Sequence, residues 1–449
     1  ALSAFAQPES PKRPNVVIIL ADDLGYGDLG GFYGGEARTP RLNQMAEEGI
    51  VFSDFHSNGP TCSPTRAALL TGRYQQRVGI EKPLPTNWDD EGIGSEDNRD
   101  EITIGEYLRK VGYTTALYGK WHLGKHSSAN PVFHGFDDFR GLTCGCGDYF
   151  TKTDRNGYPD WWHNDKREFQ EGYATDVITD NAVAFIQTHK DKPFFLYVAY
   201  NAIHFPWQTA EDDELETRLE GGDYTSPEPG PHSKLGPHKP DEVPDIVRQM
   251  IARLDEGVGR ILRALKEAGI DEGTLVVFTS DNGGYLHYNK GVWPKVSSNG
   301  PFRGQKGQLY EGGQRVPAIA RWPGKIKSGT VTSATAMTFD LLPTILDLAD
   351  VTPPPADSPH ALDGVSILPL LLDNRPPAPR LLYWRTPRQK AVRDGNWKLV
   401  TTRSDDAPEL FNLQSDPGET SNLAVSHPEK VQTLLSRLHA WERRVDSGL

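Results

Sequence analysis

Two pairs of oxygen-bearing side chains follow apolar runs of the sequence. Asp22 and Asp23 come directly after the run Asn-Val-Val-Ile-Ile-Leu at residues 15–20, and Asp281 and Asn282 follow a similar run. Carboxylate and amide oxygens suit a hard cation such as Ca²⁺ or Mg²⁺. Either pair alone could form a turn, since Asp-Asn-Gly is a common turn sequence. Both pairs at strand ends favour a metal site.

Cys62 stands before Ser-Pro-Thr-Arg, with Gly72 further along the chain. Proline suits the first turn of a helix and glycine its end, so a helix is predicted to begin near Cys62. The helix dipole and the free N–H groups favour an anion there, and we expect an acidic, reactive thiol. The alternative is a small buried cysteine.

Four basic side chains stand at or beyond the ends of predicted strands or in a glycine-rich loop. Lys120 and His122 are two apart, so in an extended chain they share a face; the alternative is a half-exposed strand end. His204 follows a buried strand, where a lone histidine is more often structural. Lys306 lies between glycines that let a backbone approach a ligand, although a flexible loop explains the same pattern. The spacing is not that of a P-loop.

The elements that would position these residues alternate along the chain. Continuous apolar runs at 15–20, 114–118, 194–199 and 274–280 predict strands buried on both faces. This alternation predicts an α/β fold with a large, mostly parallel sheet flanked by helices. Ligands of such sheets bind beyond the carboxyl ends of the strands, which would bring the candidate residues together. The predicted helices are at 40–48, 102–111, 176–189, 241–268 and 338–348.

Proline-rich segments at 353–355 and 376–377 mark a change in composition. We predict a catalytic domain at 14–372 and a smaller C-terminal α+β subdomain at 373–449. That subdomain should contain a short antiparallel sheet and a terminal helix; its elements are predicted at 381–384, 391–392, 397–401 and 428–444.

The first residues contain Ala4-Phe5-Ala6, which has the form of a signal-peptide cleavage site. We therefore predict that residues 1–13 are a leader and that the protein is exported, to the periplasm or the cell exterior. A disordered leader is the alternative. The segment 221–240 is rich in Gly, Pro and Ser and is predicted to be a surface excursion.

The chain has 449 residues, a formal net charge of -13 and three cysteines. The acidity argues against a nucleic-acid partner, because phosphate binding needs a basic face. No apolar stretch approaches the length of a membrane span, so no membrane association is expected. The cysteines Cys62, Cys144 and Cys146 are too few for a disulfide framework.

Residues 62–73 read Cys-Ser-Pro-Thr-Arg-Ala-Ala-Leu-Leu-Thr-Gly-Arg. They resemble the modification motif C-x-P-x-R and its extension L-x-T-G-R in the formylglycine-dependent sulfatases of the alkaline phosphatase superfamily. The resemblance runs from Pro14-Asn15-Val16 through Tyr-Glu-Gly-Gly at 310–313 to the C-terminal strands. It implies the sulfatase fold and oxidation of Cys62 to formylglycine by a formylglycine-generating or sulfatase-maturating enzyme.

The resemblance also implies a role for each candidate residue. One Ca²⁺ would be bound by the converted Cys62 together with Asp22, Asp23, Asp281 and Asn282. Arg66 would hold the formylglycine hydrate, and His204 would protonate the leaving alcohol oxygen. The groups that bind the sulfate or assist at the aldehyde would be Lys120, His122 and Lys306.

The implied reaction suits these residue types. A hydrate oxygen attacks sulfur, and negative charge spreads over the sulfuryl oxygens. Ca²⁺, Lys120, Lys306 and Arg66 would stabilise that charge. A general acid near the leaving oxygen could contribute ~10²–10⁴-fold. The second hydroxyl of the hydrate then expels sulfate and regenerates the aldehyde. Cys62 should therefore not act as a thiol.

Exported members of this family often act on sulfated carbohydrates, and exposed aromatic side chains can stack on sugar faces. We therefore predict a sulfated glycan or glycosaminoglycan fragment as the substrate. Aromatic residues are equally common in protein cores, which is the alternative for each. The candidate substrate contacts are Asp148, Tyr149, Trp162, His163 and Arg385.

Two other functions fit the same scaffold. One is a phosphomonoester or phosphonate hydrolase; phosphatase relatives generally use Ser or Thr with two metals and need more His and Asp ligands, whereas one cation site is visible here. A catalytically silent protein that binds sulfated glycans would not need the full set of candidate residues. The sequence leaves open the sugar, the sulfated position, exo or endo action and the oligomeric state.

Overall fold

The computed structural model describes residues 13–86, 92–94, 101–212, 237–402 and 407–447. The predicted leader with its Ala4-Phe5-Ala6 sequence and most of the predicted excursion at 221–240 lie outside the described residues. No helix in the described part of the chain is long and apolar enough to cross a membrane.

The fold is built around a sheet of ten strands, in the order β13-β2-β12-β9-β1-β8-β4-β5-β6-β7. β1 pairs in parallel with β8 and β9, and β4 pairs in parallel with β8 and β5, whereas β12 is antiparallel to both of its neighbours. The predicted mixed, mostly parallel sheet is thereby confirmed. In chain order the strands are β1 (Asn15–Ala21), β2 (Ile50–Phe52), β3 (Phe55–His56), β4 (Thr114–Lys120), β5 (Asp138–Leu142), β6 (Trp162–His163), β7 (Lys166–Arg167), β8 (Phe194–Ala199), β9 (Thr274–Ser280), β10 (His287–Tyr288), β11 (Trp293–Pro294), β12 (Ala318–Arg321), β13 (Thr330–Thr332), β14 (Ala336–Met337), β15 (Leu381–Arg385), β16 (Lys390–Asp394), β17 (Trp397–Thr401) and β18 (Glu409–Asn412).

Helices cover both faces of this sheet, which is why its central strands are apolar on both sides. Val17 and Ile19 of β1 pack in one core with the helices at 174–189 and 243–267, whereas Val16 and Ile18 pack in a second core with the helices at 62–71 and 341–348. The helices are α1 (Pro40–Glu47), α2 (Cys62–Thr71), α3 (Ile104–Lys110), α4 (Ala174–His189), α5 (Val243–Glu267), α6 (Glu311–Gln314), α7 (Leu341–Leu348), α8 (Leu368–Asp373) and α9 (Pro428–Asp446).

Two predicted elements differ from those observed. The helix predicted at 338–348 begins as a 3-10 turn at Thr338–Asp340, because the Asp340 carboxylate accepts a hydrogen bond from the Met337 N–H (2.8 Å), and α7 starts only at Leu341. The extended chain predicted through His122 ends at Lys120, and His122 adopts a left-handed conformation with φ 56°. Lys120 and His122 therefore do not share a strand face.

The C-terminal part of the chain forms a separate antiparallel sheet of four strands, β15-β16-β17-β18, with α9 against it. Three of these strands were predicted, and β18 was not. α8 crosses the predicted domain boundary at residue 372 by one residue. The boundary itself stays a prediction.

Buried ion pairs join this C-terminal sheet to the large domain. Lys398 on β17 donates a hydrogen bond to Glu311 of α6 (2.8 Å) and lies 3.0 Å from Glu419, and all three side chains are completely buried. Burial alone would raise the pKa of Glu311, but Lys398, His56 and Arg315 together hold it well below its usual range. A second pair joins Arg393 on β16 to Asp54 (2.7 Å), which follows β2. The subdomain is therefore docked through charges that must all remain paired.

Replacing Lys398 with methionine should lower the free energy of unfolding by ~3–5 kcal/mol, because the buried Glu419 carboxylate loses its cation and Glu311 keeps only His56 and Arg315. The matched control is Lys390→Met on the neighbouring strand, whose half-exposed ion pair with Glu442 should be worth at most ~1 kcal/mol. Urea unfolding of both variants measures the difference. Equal losses would contradict the role given to Lys398.

Candidate active site

The strand ends bring the two oxygen-bearing pairs together. β1 and β9 are adjacent and parallel, with Ala21 opposite Ser280, so the residues that follow them emerge side by side. The N–H of Asp23 donates to the Asp281 carboxylate (3.2 Å), and the Asn282 amide donates to Asp23 (2.8 Å). These contacts bring Asp22 and Asp23 together with Asp281 and Asn282, as the sequence predicts.

Cys62 is the first residue of α2, whose ten residues are all buried and which ends at Gly72 with φ 67°. Its Sγ lies 3.4 Å from the Asp22 carboxylate and 3.2 Å from Lys306 Nζ. The predicted helix start is confirmed. The predicted acidic thiol is wrong: burial, together with the charge of Asp22, raises the pKa of Cys62 well above its usual range.

Two completely buried cations hold the carboxylates on the other side. Arg66 lies one helical turn after Cys62 and donates to Asp281 through Nε (2.9 Å) and to the Lys120 carbonyl through Nη1 (2.7 Å). Lys120 ends β4 and donates to Asp22 (2.5 Å). Each of these side chains is thus fixed by a partner that is itself buried.

Lys306 completes the group from a loop that precedes α6. Its Nζ lies 2.5 Å from Asp23. Burial alone would raise the pKa of this carboxyl, but Lys306, His204 and Lys120 together lower it to about 2. Backbone hydrogen bonds from Lys306 to Gly284 (3.1 Å) and from Gly307 to Pro60 (2.8 Å) hold the loop against the strand ends. Only 8% of Lys306 is exposed, so the flexible-loop alternative is not what the structure shows.

The donor set fits a hard cation. Oxygen or sulfur atoms of Asp22, Asp23, Cys62 and Asp281 all lie within 4.8 Å of one another. One oxygen of Asp23 and the amide oxygen of Asn282 are buried without a hydrogen-bond partner in the described structure. Burial, and then the charge of Asp281, raise the pKa of Asp22 to about 7. Buried oxygens without a donor, and buried carboxylates that repel each other, are the groups that Ca²⁺ ligation satisfies.

His204 faces the same carboxylates. Its Nδ1 donates to the Phe205 carbonyl (2.7 Å), because a carbonyl can only accept, and its Nε2 lies 3.8 Å from Asp23. Burial, and then the charge of Lys306, lower the pKa of His204 well below its usual range. Nε2 is therefore the nitrogen available to a reacting group.

In His122 the ring nitrogen without a hydrogen-bond partner is Nδ1, whereas in His204 the available nitrogen is Nε2. Its Nε2 donates to the Leu84 carbonyl (3.1 Å), and its Nδ1 is buried without a partner in the described structure. Burial, and then the charge of Lys120, lower the pKa of His122 well below its usual range. His122 thus offers a neutral acceptor beside the lysine.

Two residues next to these groups were not predicted as part of the site. Gly145 lies against the His122 ring so closely that an added Cβ would stand 2.5 Å from ring atoms. Its sequence signal was only the tight Cys-Gly-Cys loop. The ring of Tyr285 lies 5.1 Å from Lys306 Nζ, and the only sequence signal was its position shortly after Asn282.

The sequence matches the family described as Sulfatase over residues 14–351 and N-sulphoglucosamine sulphohydrolase, C-terminal, over residues 303–444. The chain belongs to the sulfatase family. It is therefore a sulfuric ester hydrolase of the alkaline phosphatase superfamily.

The similarity to known sulfatases and to a solved structure covers nearly the whole chain. N-acetylgalactosamine-6-sulfatase of Mus musculus is 35% identical, over 95% of this chain and 85% of the relative. Arylsulfatase A of Homo sapiens is 32% identical, over 98% of this chain and 89% of the relative. The crystal structure of Ps i-CgsB in complex with k-i-k-neocarrahexaose superposes with a TM-score of 0.81 at 30% identity, covering 96% of this chain and 93% of that one.

Two of the predicted substrate contacts in this sulfatase support the His204 loop. The Tyr149 hydroxyl lies 2.8 Å from the Asn201 carbonyl and 3.0 Å from the His204 carbonyl. Asp148 accepts a hydrogen bond from Gln208 (2.9 Å) and from nearby backbone N–H groups. Both side chains are buried, and their contacts hold the loop rather than line an opening.

The other three predicted substrate contacts lie elsewhere. Trp162 and His163 form β6, which is separated from β4 by β5 near one edge of the sheet. Arg385 pairs with Glu81 and Asp446, both at 2.7 Å. The structure therefore brings none of the three into the group around Cys62, and substrate contact by any of them stays a prediction.

Gly145→Ala should lower kcat/KM for sulfate release by ~10- to 100-fold, because the new methyl group must displace the His122 ring. Gly147→Ala is the matched control, since its Cβ would meet its nearest atoms at 3.6 Å, an ordinary contact. Kinetics of both variants with one sulfate ester test this. A loss of similar size in both would show that His122 is not the reason.

Proposed function

We propose that this sulfatase removes sulfate from a sulfated glycan or glycosaminoglycan fragment, using formylglycine formed from Cys62 and one bound Ca²⁺. The observation that carries the proposal is the position of Cys62, at a helix start between the Asp22 carboxylate and Lys306. The names of the relatives support a carbohydrate substrate, since one is an N-acetylgalactosamine-6-sulfatase and one structure holds k-i-k-neocarrahexaose.

Formylglycine and the bound Ca²⁺ would act on the attacking side of the sulfate group. Formylglycine would provide a hydrated aldehyde oxygen as the nucleophile, and Ca²⁺ held by Asp22, Asp23, Asp281 and Asn282 would provide positive charge near the sulfuryl oxygens.

The protein's own side chains act on the substrate anion and the leaving group. Lys120 and Lys306 are held next to Cys62 by their carboxylate partners and stabilise the charge that develops on the sulfuryl oxygens. Arg66 orients the nucleophile from one turn further along α2. His204 would give the leaving alcohol oxygen a proton from Nε2 in its imidazolium form, since the one proton of the neutral ring is on Nδ1 and is donated to the Phe205 carbonyl.

A specific observation weakens the two-metal phosphatase alternative. A second group of potential metal ligands, Asp54, His56 and Glu311, lies in the described structure. Its carboxylates are already paired with Arg393 (2.7 Å) and Lys398 (2.8 Å). A metal bound by this second group would have to displace Arg393 and Lys398 from its carboxylates.

The proposal includes a maturating enzyme as partner, either formylglycine-generating or sulfatase-maturating. It also includes export to the periplasm or the cell exterior. The sequence of Ala4-Phe5-Ala6 supports export, and the modification motif beginning at Cys62 supports maturation.

The decisive experiment compares an aryl sulfate with the matching aryl phosphate and with sulfated saccharides, with Ca²⁺ supplied. Converted enzyme should hydrolyse the sulfates, and Cys62→Ala should release no sulfate, since it cannot carry the aldehyde. Peptide mass spectrometry reports the converted fraction of Cys62. Much faster phosphate cleavage, or full activity with wholly unmodified Cys62, would overturn the proposal.

His204→Ala should lower kcat for a sugar sulfate by ~10²–10⁴-fold, because an alkoxide needs a proton to leave. The same variant should lose much less with 4-nitrophenyl sulfate, whose phenolate leaves unprotonated. The two substrates on one enzyme provide the internal control. Equal losses on both would assign His204 to binding or folding instead.

A further inference from the structure

A cavity of about 600 Å³ is lined by residues that adjoin two active-site residues in the chain. Thr61 and Gly307 line it, and they are the chain neighbours of Cys62 and Lys306. Arg388, in the turn between β15 and β16, lines it from the C-terminal subdomain. The volume lies within the ~300–1,000 Å³ typical of ligand pockets. The large domain and the C-terminal subdomain thus share a cavity whose wall includes the chain neighbours of Cys62 and Lys306.

The wall from the C-terminal subdomain is tied to the catalytic loop. The side chain of Gln389 accepts a hydrogen bond from the N–H of Leu309 (2.9 Å), three residues after Lys306. The Thr386 hydroxyl accepts the N–H groups of Arg388 (3.3 Å) and Gln389 (3.0 Å), which closes the turn. The position of Arg388 relative to Lys306 is therefore set by hydrogen bonds.

The charges that line the cavity favour an anion. Arg388 is exposed at its rim, and the one acidic residue among the described lining residues, Glu81, is engaged by Arg385 at 2.7 Å. The Arg388 guanidinium makes no hydrogen bond or ion pair within the described residues. The whole chain carries a net charge of -13, so an anionic ligand depends on such local cations, which act within a Debye length of ~8–10 Å.

We propose that this cavity binds the sugar linked to the one that is desulfated, and that Arg388 recognises an anionic substituent on that neighbouring sugar. The inference rests on the proposed function, and it adds that the substrate is an oligosaccharide carrying negative charge on consecutive rings. A carboxylate and a second sulfate present the same chemistry to the guanidinium.

The test uses four probes that share the sulfated monosaccharide that the converted enzyme hydrolyses fastest. They are the monosaccharide itself and three disaccharides, whose second ring is a neutral hexose, a uronic acid or a sulfated hexose. The wild-type enzyme should show a KM roughly threefold to tenfold lower for an anionic disaccharide than for the neutral one. Comparison of the two anionic probes identifies the substituent.

Arg388→Ala should reduce this KM ratio to about one, whereas Arg375→Ala should leave it intact. Arg375 is an exposed arginine that pairs with Asp373 and does not line the cavity. The inference is overturned if wild-type enzyme does not distinguish anionic from neutral disaccharides. It is also overturned if Arg388→Ala keeps the ratio or lowers kcat/KM equally for all four probes.

Calorimetric binding of the same disaccharides to Cys62→Ala separates this inference from the proposed function. Preferential binding of anionic disaccharides that is lost in Cys62→Ala/Arg388→Ala supports the cavity, even if no probe releases sulfate. Sulfate release without any preference supports the proposed function and rejects the cavity.

Discussion

The site depends on pairing every buried charge at the carboxyl ends of the central strands. Asp22 and Asp281 are completely buried, and their partners Lys120 and Arg66 are buried with them. Removing one partner from such a pair costs ~3–5 kcal/mol, because the remaining charge is left in a medium that solvates it poorly. The strands, α2 and the catalytic loop are therefore held in one arrangement by the same groups that would perform the reaction.

The same constraint links the site to the C-terminal subdomain. The segment 306–311 begins with a lysine that pairs with Asp23 and ends with Glu311, which pairs with Lys398. Movement of the subdomain would strain a segment that also holds the catalytic lysine. The C-terminal sheet thus stabilises the loop from behind, although none of its strands carries a residue of the group around Cys62.

The sequence was sufficient where local pattern and topology agree. Apolar runs identified β1 and β9, and their parallel pairing explains why Asp22 and Asp281 meet. The sequence was insufficient where burial by distant segments determines the pKa or the conformation of a residue. A helix dipole contributes ~0.3–1 kcal/mol, whereas burial can shift a pKa by up to ~3–5 units at ~1.4 kcal/mol each, so the thiol of Cys62 is not acidic. The left-handed His122 and its contact with Gly145 join segments that no spacing connects.

Residues at the strand ends and residues in the exposed turn of Arg388 suit different functions. Residues at strand ends are fixed by buried pairs, and a substitution there disturbs the fold as well as the chemistry. Arg388 lies in an exposed turn that is held by hydrogen bonds of the Thr386 hydroxyl and the Gln389 side chain, and its own guanidinium has no partner within the described residues. Substitutions in that turn can alter the substrate preference without unpairing a buried charge. A scaffold that separates the two in this way can keep one reaction while the recognised sugar changes.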